Sequence, residues 1–514
     1  MAKAQKNRAS KQAYVSPGQG ILSGFETPFA KELDPANRWV VLAHKIPWDD
    51  LVSVYNSKLN NSQYGAGNIN ARVAIGAVII KHTCNLDDRE TILQIQENVY
   101  MQYFIGYSSF SDEEPFDASL FVDIRKRLGM EEINAINEKI VKLSLQKQQE
   151  QKAKEQAANK KDDEPDQPPS SSPPTHEGSL TVDATACPQD ISYPTDLNLL
   201  NDAREKSEEL IDVIYAQSNL HKKPRTYRQK ARKIYLQTAQ KKTKTKNESR
   251  CIGSNAISKQ LNFLRRNIQS TQKLLDKFET IPLNKHQYKY LLVIQTLYDQ
   301  QQKMFTEKTH SVEHRIVSIH QPHVRPIVRG KTNANVEFGA KINVSLMNGF
   351  GFIDHLQWEA YNEGTRLKSS VEKYKQRFGY YPKEVLADKI YCNRDNRMWL
   401  KELNIQLRAK PLGRPKAVDT EHVRPGERNP IEGKFGQAKT AYGMNRIKAR
   451  LSQTSQSWIA SIIMVLNLVK LAGQVPFCLL LKSLTFSASV VLEIKSQLTQ
   501  WYYAHQQKYK MLMA

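Results

Sequence analysis

The chain of 514 residues is poor in cysteine, in acidic residues and in long uninterrupted apolar runs. Its five cysteines are scattered and form no C-x-x-C pair, which argues against a disulfide framework or a zinc ribbon and indicates a reducing compartment. The most apolar stretch, residues 457–484, is interrupted by Lys470, Gln474 and Pro476. That stretch therefore predicts a buried core helix rather than a membrane span.

The shortage of acidic residues leaves a strong positive charge. Lys and Arg number 75 against 52 Asp and Glu, so the net charge is +23 and the isoelectric point is near 9.5. Such an excess suits a polyanionic partner, and nucleic acid is the usual one. A ribosome-like scaffold and an anionic membrane surface stay open on charge alone. The length indicates two to four domains.

The N-terminal part of the chain predicts a basic tail followed by a helical domain. Residues 1–30 predict a flexible tail, and residues 31–145 carry apolar side chains at helical spacing between capping residues, among them Asp87 and Asp88. Arg125, Lys126 and Arg127 on one of these helices permit a helix-turn-helix-like DNA-binding domain. An ordinary helical bundle with a solvated basic edge explains the same pattern, and both alternatives stay open.

A change of composition separates this region from a second domain. Residues 146–178, rich in Gln, Lys, Pro and Ser, predict a disordered linker. Residues 179–475 then predict an α/β domain in which helices flank a mixed sheet: a strand at 179–187, a helical insert at about 198–308, and alternating strands and helices after it. Residues 476–514 form a C-terminal extension to which the sequence assigns no role.

Two signals mark the return of strands after the insert. The segment RIVSIH, residues 315–320, alternates apolar and polar side chains and predicts a short strand. Residues 338–360 predict a hairpin whose turn is Asn348-Gly349, because two-residue Asn-Gly turns match the twist of paired strands.

The centre of the insert is strongly basic. Residues 221–250 contain twelve Lys or Arg and a single acid, Glu248, with Tyr227 and Tyr235 interleaved. The local net charge of +11 (12 − 1) favours contact with DNA phosphates, and the aromatic rings are available for stacking. A solvated charge run is the alternative interpretation.

Three carboxylates stand out against this background. Asp183 lies in the apolar strand LTVDATA and Asp388 in the strand EVLADKIY, where an acid is costly unless it is paired or binds a metal. Each could also be a strand-end acid that caps the next loop. Glu432 begins a helix in RNPIEGKFGQAK, where Asn429 and Glu432 read equally as a capping box.

If the fold brings these three carboxylates together, they form an oxygen-rich site of the kind that Mg²⁺ or Mn²⁺ prefers. Two such ions, roughly 3.5–4 Å apart, activate an attacking oxygen and stabilise the leaving oxygen of an in-line displacement. Nearby Arg and Lys side chains would then bind the phosphate that is attacked.

Asp183, Asp388 and Glu432, in strand, strand and helix, resemble the DDE triad of RNase H-like transposases. The spacing Arg428-x₃-Glu432-x₆-Lys439 resembles the Tyr-x₂-Arg-x₃-Glu-x₆-Lys signature of bacterial insertion-sequence transposases, although Pro425 stands where the signature has Tyr. Longer blocks are similar to one branch of that superfamily, and they lie at 34–51, 90–106, 193–204, 325–345 and 424–451. The resemblance covers nearly everything from about residue 25 to 473.

The resemblance implies an RNase H-like catalytic domain with a helical insert, joined to an all-α N-terminal DNA-binding domain. It implies binding of terminal inverted repeats, metal-dependent cleavage of DNA at the element ends, and joining of the 3′-OH ends to target DNA. Asp183, Asp388 and Glu432 would ligate two Mg²⁺ or Mn²⁺ ions, and Arg428 and Lys439 would contact DNA. Two cations in a basic turn before a strand are added as further DNA contacts: Arg329 and Lys331.

The resemblance also implies where the protein works and with what. Its partner would be double-stranded DNA, bound by a homodimer or larger assembly in the bacterial cytoplasm at the nucleoid, with no membrane involved. A catalytically inactive relic or regulator that occupies element ends without cutting them is the alternative, and the intact triad argues against it.

Overall fold

A computed structural model describes six stretches of the chain: residues 32–57, 69–159, 176–240, 246–328, 336–409 and 426–472. Several predictions fall outside these ranges: the basic tail 1–30, residues 160–175 of the linker, the extension 476–514, and the DNA contacts Arg329 and Lys331.

The N-terminal region is helical, as predicted. Asp87 accepts a hydrogen bond from the Glu90 amide and so begins one of its helices, as the sequence indicated. Another helix is buried on every side from Ala71 to His82, which explains its continuous apolar sequence. The helices are α1 (Arg38–Lys45), α2 (Trp48–Asn56), α3 (Ala71–Cys84), α4 (Asp88–Glu97), α5 (Val99–Ile105), α6 (Phe121–Arg127) and α7 (Met130–Asn159).

Part of the basic cluster on α6 serves packing. The Arg125 guanidinium is buried and forms two hydrogen bonds with the Asp88 carboxylate, at 2.8 and 2.7 Å, while it lies 5.4 Å from the ring centre of Trp458. Lys126 pairs with Asp123 on the same helix. Arg125 is thus engaged inside the protein, which favours the helical-bundle interpretation for this residue. DNA binding by the N-terminal region stays a prediction.

The second half of the chain contains a mixed six-stranded sheet within the described residues. Its order is β2-β3-β1-β5-β6, and β4 also pairs with β3, on the side away from β1. β1 pairs with β5 and β5 with β6 in parallel, whereas the other pairs are antiparallel. The strands are β1 (Ser179–Pro188), β2 (Arg325–Val328), β3 (Val336–Met347), β4 (Phe350–Gln357), β5 (Glu384–Leu386) and β6 (Gln406–Arg408).

The hairpin prediction is confirmed and one strand prediction is wrong. Asn348 and Gly349 join β3 to β4, both with positive φ (48° and 77°), as a type I′ turn requires. Residues 315–320 form no strand. Their apolar side chains, Ile316 and Ile319, pack instead on the core of the insert, so the alternation reflects burial without sheet pairing.

The insert between β1 and β2 is helical, as predicted. Its described residues form four helices, α8 (Asp196–Ala216), α9 (Arg228–Ala239), α10 (Lys246–Leu275) and α11 (Lys285–Glu307). Two small apolar clusters hold three of them, α8, α10 and α11, together.

The remaining helices cover the sheet. They are α12 (Leu367–Phe378), α13 (Arg394–Glu402), α14 (Asn429–Thr440) and α15 (Ser452–Leu471). Leu180 and Val182 of β1 pack with α12 on one face, whereas Cys187 belongs to the core formed with α15 on the other. The mixed α/β class with flanking helices is therefore confirmed.

The helix α15 joins the N-terminal helices to the sheet. It packs against α3, α6, α7 and β4, so one hydrophobic core extends across both regions. In the described part of the chain it alone has the length and apolar composition to cross a membrane, and 83% of that apolar window is buried in the protein. The prediction of a core helix agrees with this burial. The helix α7 also continues to Asn159, inside the segment predicted as a linker.

A buried asparagine fixes the position of α15. The Asn467 side chain accepts a hydrogen bond from the Gly351 amide and donates to the Gly351 carbonyl, at 2.9 and 2.7 Å. It also donates to the Asn137 side chain at 2.7 Å. Because every partner is buried, this network links β4, α7 and α15 in one arrangement.

Candidate metal and DNA site

Asp183 lies in β1, and Asp388 lies two residues beyond the end of its parallel neighbour β5. The prediction that Asp388 lies within a strand is therefore wrong, because β5 ends at Leu386 and a 3₁₀ helix begins at Lys389. Thr181 of β1 is in register with Leu386, the last residue of β5. The residues two positions further along the two parallel segments are therefore neighbours. Those residues are Asp183 and Asp388. Parallel strands are about 4.8 Å apart, and Asp388 directly precedes a short 3₁₀ helix that turns the chain away. The sheet therefore brings together two acids that are 205 positions apart (388 − 183) in the sequence.

One guanidinium bridges the two carboxylates. Arg428 donates from Nη2 to Asp183 Oδ2 at 2.9 Å and from Nη1 to Asp388 Oδ1 at 3.1 Å. Arg428 lies immediately before α14 and reaches Asp183 in the middle of β1. The Arg428 guanidinium is thus a cation held by two carboxylates. This donor set of hard carboxylate oxygens fits Mg²⁺ or Mn²⁺.

The start of α14 differs from the predicted capping box. Arg428 occupies the N-cap position, the helix begins at Asn429, and no side chain caps it. Pro430 lies in the first turn, where its missing N–H does no harm. The capping-box interpretation of Asn429 and Glu432 is therefore wrong, and Glu432 has no capping role that would explain it.

Glu432 lies near Arg428 in the chain but forms no metal-binding cluster with Asp183 and Asp388 in the described residues. Glu432 and Lys439 follow Arg428 by four and eleven positions, and at 3.6 residues per turn all three share one face of α14. Glu432 is exposed, whereas Lys439 is half-buried. Within the described ranges, no three His, Cys, Asp or Glu side chains lie close enough to hold a metal ion. The structure thus brings together Asp183, Asp388 and Arg428.

The electrostatic environment of Asp183 is that of a half-enclosed acid. Its side chain is 16% exposed, and burial raises the pKa of its carboxyl group. The neighbouring negative charges of Glu363 and Asp388 add to this rise in pKa, whereas the Arg428 guanidinium and the Ala184 amide oppose it. An acid in this setting needs a positive partner to stay ionised.

A fourth carboxylate near the site escaped the sequence analysis. Glu363 contributes to the raised pKa of Asp183 and forms an ion pair with Lys341 of β3 at 2.8 Å. It lies in a short 3₁₀ helix after β4, in a loop without any periodic pattern. No sequence pattern marks Glu363, because only the fold brings this loop close to Asp183 of β1.

A buried chain of hydrogen bonds supports the loop that carries Asp388. The Tyr391 hydroxyl donates to Asn343 Oδ1 at 2.7 Å, and Asn343 Nδ2 donates to Ser370 Oγ at 2.8 Å. Burial raises the pKa of Tyr391, and the charges of Glu363 and Asp183 raise it further. Asn343 was detectable in principle, because it is a polar residue inside the apolar strand β3.

Comparison with known proteins gives two family matches. A family model described as a transposase DDE domain matches residues 385–469, and one described as a transposase domain (DUF772) matches residues 28–127. An uncharacterized protein of Rhizobium meliloti, ORF8 in the nfe locus, is 26% identical over 183 residues, which is 36% of this chain and 77% of that protein. No solved structure matches the chain.

The two matches fall on the two parts of the chain that the resemblance had singled out. The first spans Asp388, Arg428, Glu432 and Lys439, and the second spans most of the N-terminal helices. DDE transposase domains are in general DNA-cleaving enzymes that use divalent metals, and transposases act on DNA. Residues 385–469 are thus similar to a transposase DDE domain and residues 28–127 to a second transposase domain, which supports the resemblance to bacterial insertion-sequence DDE transposases.

Proposed function

We propose that the protein cleaves DNA at the ends of an insertion sequence and joins the resulting 3′-OH ends to target DNA. The observation that carries this proposal is the pair of carboxylates, Asp183 of β1 and Asp388 just beyond β5, that both bind the Arg428 guanidinium. A sheet that presents two acids to one cation is suited to phosphodiester chemistry on a polyanion. The N-terminal helices, residues 31–145, would bind the terminal inverted repeats.

The proposed catalytic domain is RNase H-like. The mixed sheet, one acid in β1, one just beyond the parallel strand β5 and the third on α14 support this assignment. Asp183, Asp388 and Glu432 would hold the divalent ions, Mg²⁺ or Mn²⁺. When bound, two such ions supply an activated attacking oxygen and charge stabilisation at the leaving oxygen.

The basic residues of the site would position the DNA. Arg428 neutralises the paired carboxylates in the DNA-free protein, and a phosphate offers its guanidinium an alternative pair of acceptor oxygens. Lys439 shares the same face of α14, and Arg329 and Lys331 precede β3 in the chain. In the complex, Arg428 would exchange carboxylate for phosphate, and Glu432, one turn further along α14, would complete the metal site.

The assembly follows from the reaction. Two element ends must be held together for coordinated joining, so we expect a homodimer or a larger assembly on DNA. Its place of action would be the bacterial cytoplasm, at the nucleoid, where element and target DNA lie.

The decisive experiment uses the full chain and DNA that carries the terminal repeats of its own element. The labelled DNA is incubated with Mg²⁺ or Mn²⁺, and the ends produced are mapped at nucleotide resolution. Cleavage at the repeat boundary that leaves 3′-OH groups supports the proposal. Specific binding of the repeats without any cleavage, under either metal, supports the inactive relic instead.

Removal of Arg428 is expected to strengthen metal binding while it weakens cleavage. In Arg428→Ala the two carboxylates lose the cation that competes for them, so the DNA-free protein should bind Mn²⁺ about ten- to a hundredfold more tightly, as expected for one charge-assisted hydrogen bond. Cleavage should fall because a phosphate contact is lost. Isothermal titration of Mn²⁺ measures the first effect, and a cleavage assay measures the second.

A matched control separates this effect from a general loss of positive charge. Arg446 is 68% exposed and pairs with Asp190 at 2.9 Å, away from Asp183 and Asp388. Arg446→Ala should leave Mn²⁺ affinity unchanged. Equal Mn²⁺ affinity in wild type and Arg428→Ala would show that the guanidinium does not compete with metal.

A further inference from the structure

The helical insert presents a cationic surface. No Asp or Glu occurs from residue 213 to 247, whereas eleven Lys or Arg do. Lys223 and Arg228 pair with Asp212. Five further cations of this stretch are exposed and form no ion pair with an acid in the described ranges: Lys222, Arg225, Lys230, Arg232 and Lys233.

Within this surface, the ring of one tyrosine contacts two arginines from different elements. The guanidinium carbons of Arg225 and Arg266 lie 4.7 and 5.4 Å from the ring centre of Tyr227. Arg225 precedes α9, whereas Arg266 belongs to α10. Both arginines are exposed, while the ring is half-buried beside Phe263. We call Arg225, Tyr227 and Arg266 the Tyr227 cluster.

The backbone at the centre of this cluster is strained. Tyr227 adopts φ 51° and ψ 26°, the left-handed region, at the N-cap of α9. A bulky residue in this region is unfavourable and persists only where its surroundings hold it. The strained turn directs the ring toward α10, and the ring in turn restricts two long side chains. Such restriction lowers the entropy lost when the guanidinium groups bind a ligand.

The composition of the surface distinguishes between a protein, a membrane and a phosphate-bearing partner. The cores of protein interfaces are depleted of charge, and a helix that enters a membrane surface needs an apolar face. On α9 the one buried residue is Ala231, and the one exposed large apolar side chain is Leu236. The surface therefore lacks what a second subunit or a lipid bilayer would require, and its guanidinium groups match phosphate geometry.

We propose that the Tyr227 cluster is a phosphate-binding site for the backbone of double-stranded DNA. It lies on elements that carry none of the proposed catalytic residues, so it is a second contact with DNA. This inference rests on the proposed function, since it takes DNA as the substrate. The two guanidinium groups bind neighbouring phosphates, and the Tyr227 ring holds them in place.

The test measures how DNA affinity depends on salt. The full chain binds a labelled duplex of random sequence at a series of NaCl concentrations, without divalent metal. Each phosphate contact contributes about −0.9 to the slope of log K against log salt. Arg225→Ala with Arg266→Ala should therefore make the slope less steep by about 2. An unchanged slope would overturn the proposal.

Two further variants separate the cluster from general charge. Lys273, in the last turn of α10, and Lys277, just after this helix, are exposed, and replacing both by Ala removes the same charge. This pair should leave the slope unchanged, and an equal loss in both pairs would count against a specific site. Tyr227→Gly keeps the left-handed backbone without strain and should weaken binding about tenfold at fixed salt. Tyr227→Phe should bind like the wild type, and full affinity in Tyr227→Gly would contradict the role of the ring.

The two proposals can fail separately. If the wild type cleaves its element ends but the slope is unchanged in the arginine variant, the Tyr227 cluster is wrong and the transposase chemistry stands. If the slope changes as expected but no metal or DNA produces cleavage, the phosphate site stands and the catalytic proposal fails. Thermal unfolding of each variant confirms that the comparison concerns folded protein.

Discussion

Replacing Asp183 by Asn is expected to reduce DNA cleavage by at least about 10³-fold while DNA binding is retained. Asn has the shape of Asp but lacks its negative charge, so the Arg428 guanidinium keeps one carboxylate partner, Asp388, instead of two. Charge stabilisation by bound metal is worth several kcal/mol in such reactions, and each 1.4 kcal/mol is about a factor of ten in rate. The measurement is single-turnover cleavage of labelled element-end DNA in Mg²⁺.

A neighbouring acid supplies the control for this loss. Asp190 lies just beyond the end of β1 and pairs with Arg446, so Asp190→Asn removes one negative charge without touching the carboxylate pair. It should cleave within a few-fold of wild type. Asp388→Asn should lose activity as Asp183→Asn does. Wild-type cleavage by either Asp183→Asn or Asp388→Asn would exclude the carboxylate pair as the catalytic centre.

Glu432 provides a separate test of the same site, because in the structure it does not join Asp183 and Asp388 in a metal-binding cluster. If Glu432 joins the metal only on DNA, Glu432→Gln should abolish cleavage yet leave Mn²⁺ affinity of the DNA-free protein unchanged. Asp183→Asn should lower both. Titration of Mn²⁺ with and without a DNA duplex distinguishes the two variants. An equal loss of DNA-free Mn²⁺ affinity in both would mean that the three carboxylates already act together without DNA.

Local patterns in the sequence predicted the parts of the fold that depend on neighbouring residues. The Asn348-Gly349 turn and the Asp87 cap follow from short-range geometry, and both are present. The alternation in residues 315–320 predicted a strand that does not exist, because an alternating segment can be buried by helices as well as by sheet pairing. Periodicity reports burial, and only the partners decide the structure.

The sequence predicted the two acids of the candidate site but not the residues that surround them. Asp183 and Asp388 stood out because a charge inside an apolar strand is costly without compensation. The compensating group, Arg428, could be placed near DNA by motif but not on these carboxylates, since that contact spans 245 positions of the chain. Glu363 had no signal at all, because it lies in a loop and its relevance comes from proximity alone.

Arg377 is a residue whose role in stability could not be predicted from the sequence. In sequence it is a basic residue in the last turn of α12, where a solvated cation is the ordinary expectation. In the structure it is buried and binds Asp354 of β4 at 2.7 Å and Glu138 of α7 at 2.8 Å. Its Nη1 also donates to Ser345 Oγ at 3.3 Å. This one side chain thus joins the N-terminal helices, the sheet and α12.

Replacing Arg377 by Met is expected to lower the free energy of unfolding by about 3–5 kcal/mol. Met fills much of the same volume but leaves the Asp354 carboxylate, 1% exposed, without its cation. Chemical denaturation followed by circular dichroism measures the loss. Arg446→Met, which breaks an exposed pair, should cost less than about 1 kcal/mol.

The double variant Arg377→Met with Asp354→Leu decides whether the cost comes from the stranded charge. A buried ion pair pays a large desolvation penalty, so replacing both partners by apolar side chains is often neutral. We therefore expect the double variant to recover most of the stability that Arg377→Met loses, although Glu138 also loses its partner. Additive losses in the double variant would instead indicate that Arg377 acts through packing, including its position 4.7 Å over the Phe352 ring. In either case the junction between α7 and the sheet would be weakened most, because these contacts cross it.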